Sequence, residues 1–533
     1  MDADRRAAYL VAYDLFEAVQ GEDHTAAAGQ VAAAVEVADR AGWPEVGFVL
    51  AAAGTVHAVT RPVDGLGAEV ALRLRHRAEE LGAPAFEAMA LGLCALTAAA
   101  AGDTAALLAD ACRAVALLDD DSQPALDRST AYVVAAAAFN TLRLWELVDE
   151  LYTRAIETGT QGDAPAQVAA VAVNRVLTRL EWALALLENG DEQESRVHLA
   201  RAREAVPAAL ALPLRPLWRR NVEACADIVE LLHGGDLDRL DRLAGHRVAL
   251  VADGDVETLP LLDAATALAL WRSGRLDEAV AAAHRLVPPG SCSSGARSFP
   301  LWVRAAVLAA SVPSEVSRAQ QEHSELVSRL RWESRHAVLA AARAQIAVER
   351  RQADHDRLTQ AVNTDALTGL HNRRSFDAWL GRSPDQQQAR TALLLVDLDD
   401  FKQINDRYGH QCGDEVLRRV GRLMRACVRG GDMALRHGGD EFAVLLWEAN
   451  LTTVAALDRA GALRQAIRDE PWAEVATGLV VTASIGIAVA LPDGSASGGT
   501  TSADPGRLYR AADAALYAAK RHGSGIVLAP SGG

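Results

Sequence analysis

Two adjacent carboxylates stand at a glycine-rich tip in Gly438-Gly439-Asp440-Glu441-Phe442. Short strand-like runs flank it, Ala434-Leu435-Arg436-His437 before and Ala443-Val444-Leu445-Leu446 after, which predicts a β-hairpin. The glycines allow positive φ and let a bulky group approach the backbone. Neighbouring carboxylates are costly unless something positive sits between them. A divalent metal carrying a nucleotide phosphate answers that need. Upstream, Leu393-Leu394-Leu395-Val396 runs into Asp397-Leu398-Asp399-Asp400. An apolar run that ends in acids reads as a buried strand delivering carboxylates at its end. Hard divalent cations take oxygen ligands, so Asp397, the Leu398 carbonyl, Asp440 and Glu441 are the candidate metal set, for Mg²⁺ or Mn²⁺. One of Asp399 and Asp400 is expected only to cap the helix that begins near Phe401. Lys402, at the start of that helix, is placed for a phosphate oxygen beside backbone N–H groups that also favour anions.

Further motifs follow in a fixed order: Asp365-Ala366-Leu367-Thr368-Gly369-Leu370-His371-Asn372-Arg373-Arg374, then Gly409-His410 and Gly413-Asp414. Together with the hairpin, they resemble the GGDEF-type diguanylate cyclase catalytic domain from roughly Asn363 to Pro530. Several separate motifs in order are far more specific than a lone match. The resemblance implies an α/β domain with a mostly antiparallel central sheet flanked by helices. It implies condensation of two GTP into cyclic di-GMP with release of pyrophosphate. Each catalytic domain would hold one GTP, so a homodimer is required. Catalysis falls to Glu441, as deprotonating or metal-positioning group, with Asp440 as metal ligand. GTP would be held by Lys402, Asn405, Asp414, Gly438, Gly439 and Lys520. Asn405 and Asp414 match the guanine-reading pair; adenine would leave them unpaired, which favours GTP over ATP. His410 is expected only to hold its loop.

One departure stands out. The family continues past Lys520 with Gly-Arg-Asn, whereas this chain has Gly523-Ser524-Gly525. Losing one charged hydrogen bond costs about 1.5–3 kcal/mol, and Arg521 is a nearby substitute. Arg429-Gly430-Gly431-Asp432 matches the family's RxxD inhibitory product site, so Arg429 and Asp432 are expected to bind cyclic di-GMP. Arginine suits guanine O6 and N7 or phosphate, and the carboxylate suits the N–H edge. The alternative to an enzyme is a catalytically silent cyclic di-GMP receptor that signals through the rest of the chain.

The elements that position these residues are legible at coarse grain. A chain of 533 residues exceeds one ordinary core. From Ala7 to about Ala310, apolar residues recur at helical spacing between Gly or Pro breaks such as Gly82-Ala83-Pro84, Gly102-Asp103, Gly190-Asp191 and Gly274. Two helix–turn–helix units, around Gly190 and Gly274, predict an α-solenoid with tetratricopeptide-like repeats and a face for a protein or peptide partner. Ser314 to Val362 lacks Gly and Pro and is densely charged. Its seam, Val316, Ala319, His323, Leu326, Leu330, Glu333, Ala337, Ala340, Ala344 and Ala347, reads as a coiled coil; the competing reading packs the helix on the helical domain. The expected division is a helical-repeat domain at 1–312, a helical coiled-coil linker at 313–362 and the α/β domain at 363–533.

The net charge of −16 gives no global basic field for nucleic acid or an anionic membrane. Six dispersed cysteines without a CxxC pair suggest reduced thiols and a cytoplasmic chain. The N-terminus does not read as a signal peptide, and no transmembrane run is expected.

Overall fold

The computed structural model describes residues 3–20, 24–60, 66–119, 121–162, 164–255, 257–286, 294–381, 390–429, 431–448, 451–490, 505–521 and 525–529. The chain divides into two compact units, Met1–Ala353 and Asp354–Gly533.

The first unit is helical. Helices α1 (Ala3–Ala18), α2 (His24–Ala41), α3 (Pro44–Thr60) and α4 (Leu66–Leu81) precede three helical hairpins. These pair α5 (Pro84–Ala101) with α6 (Thr104–Leu117), α7 (Ala125–Thr141) with α8 (Trp145–Gln161), and α9 (Pro165–Glu188) with α10 (Glu192–Leu210). Then come α11 (Pro216–Gly234), α12 (Leu240–Ala252), the hairpin of α13 (Thr258–Arg272) with α14 (Leu276–Ala283), and α15 (Ser294–Ser311). Left-handed glycines turn three of the hairpins, Gly102, Gly190 and Gly274, with φ of 77°, 78° and 81°. After two of them an aspartate caps the next helix: Asp103 accepts from Ala106 N and Asp191 from Glu194 N, each at 3.0 Å. Two apolar cores result, one across α1–α8 and one across α9–α15. Among the described residues, α5 is long and apolar enough to cross a membrane. It is packed as a core helix, with Phe86, Met89, Leu91 and Leu93 buried.

The segment after α15 is one continuous helix, α16 (Glu315–Asn363). Its buried residues are Ser328, Arg335, Leu339, Ala342 and Ile346, and the last three join the first helical core. The seven-residue steps 328–335–342 and 339–346 keep this face turned inward. The expected coiled-coil seam is the opposite side: Val316, Leu326 and Leu330 are 70%, 47% and 55% exposed. One face of α16 thus packs on the helical unit, and the residues of the expected seam lie on its other, exposed side.

The second unit is built on a five-stranded sheet in the order β2-β3-β1-β4-β5. Its elements are α17 (Arg373–Leu380), β1 (Arg390–Leu398), α18 (Phe401–Tyr408), α19 (His410–Cys427), β2 (Met433–Gly438), β3 (Glu441–Glu448), α20 (Thr453–Asp469), β4 (Ala483–Ala490), α21 (Pro505–Arg521) and β5 (Ile526–Leu528). All pairings are antiparallel except β4 with β5. Side chains of period two sort β1 onto two covered faces. Ala392, Leu394, Val396 and Leu398 join the core that contains Val416, Val420, Ala456 and Leu463 of α19 and α20. Leu393 and Leu395 join Phe376 and Trp379 of α17 and Leu508 and Ala512 of α21. Both faces being buried explains the unbroken apolar run of β1. Gly486 is needed on β4, because a Cβ there would stand 2.3 Å from Ala512 O and Leu516 N of α21.

Candidate functional site

Asp397, next to last in β1, has the parity of Leu393 and Leu395 and so points to the α21 side. There Lys520 Nζ lies 2.7 Å from Asp397 Oδ2. The register of β1 with β3 places Asp397 directly opposite Glu441. Glu441 shares the parity of Ala443 and Leu445, so both carboxylates are on one face. Directly opposed side chains on neighbouring strands have Cβ atoms ~4.5–5.5 Å apart, where like charges destabilise. Burial pushes the Asp397 carboxyl above its usual range; Lys520 pulls it down, and the charges of Asp440 and Glu441 push it up again. Buried Asp397 thus feels the charges of Asp440 and the exposed Glu441, with Lys520 to balance it.

The hairpin is as the sequence predicted. Gly438 and Gly439 adopt φ of 158° and 55°, conformations that side chains with a Cβ resist. Arg436 fixes the turn: its Nε and Nη2 donate to Gly439 O at 3.0 and 2.7 Å. Arg436 Nη1 lies 3.3 Å from both carboxylate oxygens of Asp365. Burial would raise Asp365, but hydrogen bonds from Thr368 and the charge of Arg436 more than offset it and hold the carboxyl low. Leu398 N donates to Asp440 O at 3.3 Å, which ties the turn to β1.

Neither Asp399 nor Asp400 caps the N–H groups of α18 with its carboxylate, contrary to expectation. Asp399 instead accepts from Thr482 Oγ1 at 2.6 Å and Ser484 Oγ at 2.7 Å. Asp400 sits at the cap position with φ of 54°, and its side chain accepts from Gln403 Nε2. Lys402 is exposed in the first turn of α18. Asn405, also on α18, packs against α19: a Cβ on Gly413 would stand 2.0 Å from Asn405 Oδ1. Asp414 follows Gly413 and is exposed, so the proposed guanine-reading pair is brought to one α18–α19 corner.

Asp432 lies at the other end of β2 from Gly438. Six residues at 3.3 Å each separate them by about 20 Å. Its carboxylate is 3% exposed. Oδ1 accepts from Trp447 N at 3.2 Å, and Oδ2 accepts from Arg429 N at 3.1 Å and Arg459 Nη1 at 3.2 Å. Asp432 therefore organises a corner that holds Arg429 and Arg459. Sequence reasoning missed Arg459, Arg436 and the Thr482–Ser484 bonds to Asp399, whose partners are distant in sequence. It named Asp365 within a motif without a role. Ser524 lies outside the described residues.

Among the described residues, no three His, Cys, Asp or Glu side chains close into a metal cage. Mg²⁺ does not need one: it takes one or two carboxylates and fills the remainder with water and substrate phosphate oxygens. An all-oxygen set of Asp397, Asp440, Glu441 and the Leu398 carbonyl fits that requirement.

A family model described as diguanylate cyclase, GGDEF domain, matches residues 362–525. This part of the chain is a GGDEF domain. Diguanylate cyclase DgcM of Escherichia coli is 38% identical over 179 residues, 33% of this chain and 40% of that protein. The response regulator PleD of Caulobacter vibrioides is 37% identical over 191 residues, 34% of this chain and 38% of that protein. The chain thus spans about 40% of the length of these curated relatives. The coiled coil and GGDEF domain of DgcB from Caulobacter crescentus, solved with cyclic di-GMP, is 28% identical. That match covers 36% of this chain and 98% of that one, with a TM-score of 0.30.

Proposed function

We propose that this protein is a diguanylate cyclase of the cytoplasm. The observation that carries the reading is the meeting of Asp397, Glu441 and Lys520 beneath the Gly438–Gly439 turn. The 3′-hydroxyl of one GTP attacks the α-phosphate of another and pyrophosphate leaves. A second transfer in the other direction closes the ring, so two GTP give one cyclic di-GMP and two pyrophosphates. Each GGDEF domain offers one such site, and a homodimer brings two together.

Bound Mg²⁺ would supply charge neutralisation at the phosphates, held by Asp397, Asp440, Glu441 and the Leu398 carbonyl. The chain's own groups do the rest. Lys520 balances Asp397 and offers a cation to the triphosphate. Lys402 presents a second at the start of α18. The turn backbone at Gly438 and Gly439, clear of any Cβ, lets the phosphates approach. Asn405 and Asp414 read the guanine edge. Glu441 receives or directs the proton of the attacking hydroxyl. Most of the acceleration is then positioning plus electrostatics.

Product inhibition through Arg429 and Asp432 is part of the proposal, supported by the RxxD spacing; the Asp432 carboxylate, buried and already bonded, would act by holding Arg459 beside Arg429 rather than by taking the guanine edge itself. The helical unit is proposed as the regulatory part, with a protein or peptide as its partner. Purified full-length protein incubated with GTP and Mg²⁺, with products resolved chromatographically beside Glu441→Gln, tests the reading. Cyclic di-GMP from wild type alone supports it. Absence of product from folded, dimeric wild type that still binds cyclic di-GMP favours the receptor alternative.

A further inference from the structure

His437 is the residue that the β2–β3 bulge leaves without a cross-strand partner. Arg436 faces Phe442 and Gly438 faces Glu441, with the register shifting between them. Such bulges re-aim a side chain, often beside an active site. Here the imidazole is aimed at Glu441: His437 Nδ1 lies 3.3 Å from Glu441 Oε2. The far side of the ring is packed. Phe376 of α17 meets it edge-on, with centroids 5.5 Å apart at 89°, and Tyr509 of α21 lies 6.5 Å away. The His437 side chain is 19% exposed and that of Glu441 is 55% exposed. The ring is therefore packed and the carboxylate faces solvent. The Glu441 charge also reaches Tyr509, whose hydroxyl is pushed up first by burial and then by Asp513 and Glu441.

An ionised carboxylate only accepts hydrogen bonds. The nitrogen that faces it must then carry the hydrogen, because each ring nitrogen's state is set by the bond it makes. We propose that His437 is a positioning residue for the cyclase reaction: its Nδ1–H holds the Glu441 carboxylate in place opposite Asp397. The role rests on the reading of Glu441 given above. Held this way, Glu441 is ordered before GTP arrives rather than at the moment of reaction. Its alignment with Asp397 depends on a side chain from the neighbouring strand.

Two readouts on the full chain test this separately from the cyclase reading. The first compares His437→Asn, His437→Gln and His437→Phe. The Asn Nδ2 takes the place of the imidazole Nδ1, whereas the Gln nitrogen takes the place of Nε2. His437→Phe and His437→Gln should lower kcat about ten- to a hundredfold, as a misplaced catalytic group does, with KM for GTP changed less than about twofold. His437→Asn should recover most of the loss. An Asn variant as slow as the Phe variant, or three variants at wild-type rates, overturns the proposal. The second readout needs no activity. Nitrogen NMR of protein labelled at its histidines, with His437 identified by its absence in His437→Asn, should show hydrogen on Nδ1, with a resonance that moves in Glu441→Ala. Hydrogen on Nε2 alone overturns the proposal even in a protein that makes no cyclic di-GMP. A correct tautomer in an inactive protein leaves the contact standing and removes the cyclase reading.

Discussion

Arg335→Ala should release α16 from the helical unit. The Arg335 side chain is 4% exposed and sits between two rings, its guanidinium 4.4 Å from the Trp332 centroid and 5.2 Å from that of Trp145. Nη2 lies 2.6 Å from both oxygens of Glu146, and Nε donates to Arg143 O at 2.8 Å. Removing one partner of a buried ion pair costs about 3–5 kcal/mol, because the other is left uncompensated. Glu146 is 23% exposed and regains some water, which lowers the ion-pair loss to roughly 2 kcal/mol. The lost stacking returns about 1 kcal/mol of that discount. The net loss is about 3 kcal/mol, or roughly a hundredfold in an opening equilibrium. Arg343→Ala on the same helix is the control. Its pair with Glu150 is more than half exposed on both sides and is worth no more than about 1 kcal/mol. Native-state hydrogen exchange of the amides from Leu339 to Ile346 reads both. Exchange about a hundredfold faster in Arg335→Ala, and less than about fivefold faster in Arg343→Ala, is expected. Equal exchange in the two variants would refute the reasoning.

Three further outcomes follow from single residues. Burial holds the Glu17 carboxyl protonated up to about 7, from an ordinary 4.5, against the pull of Arg215. Between those values the unfolded chain has released a proton that the folded chain keeps, so stability falls as pH rises, by about 1.4 kcal/mol per unit. Glu17→Gln lacks this dependence and should gain up to about 3 kcal/mol on wild type between pH 4.5 and 8, read by denaturant titration; parallel curves would show that Glu17 ionises normally. Gly413→Ala drives a methyl group into Asn405 and should cut discrimination between GTP and ATP at least about tenfold, by leaving guanine donors unpaired; unchanged competition by ATP would remove Asn405 from base reading. Gly486→Ala forces β4 off the backbone of α21 and should destabilise the GGDEF domain by about 3 kcal/mol, seen as a lower melting midpoint; a midpoint within a degree of wild type would mean that α21 moves freely.

The GGDEF third of the chain was legible because its motifs lie in short contiguous runs. The run ending in Asp397 and the Gly438–Gly439 tip announce a strand end and a turn by composition alone, and the register of β1 with β3 then places Asp397 and Glu441 on one face. What composition could not give were partners distant along the chain. Nothing near Asp397 signals Lys520, and nothing near Arg436 signals Asp365. His437 looked like one more strand residue, because a bulge is invisible until the register of β2 and β3 is known. The packed face of α16 was not legible for a different reason. Its inward residues include Ser328 and Arg335, polar types that normally signal solvent, while small apolar residues line its outward side. Burial of Arg335 is tolerable only because Glu146, Trp145 and Trp332 await it, and those come from folding rather than from the local pattern.

Paired initial rates of pyrophosphate release and cyclic di-GMP formation, for full-length wild type and Asp397→Asn with GTP and Mg²⁺, test the central claim most directly. Two pyrophosphates per cyclic di-GMP are expected, and at least about a hundredfold loss of both in Asp397→Asn, with the thermal midpoint retained. Pyrophosphate release that survives the substitution, or a folded wild type that forms neither product, would contradict it.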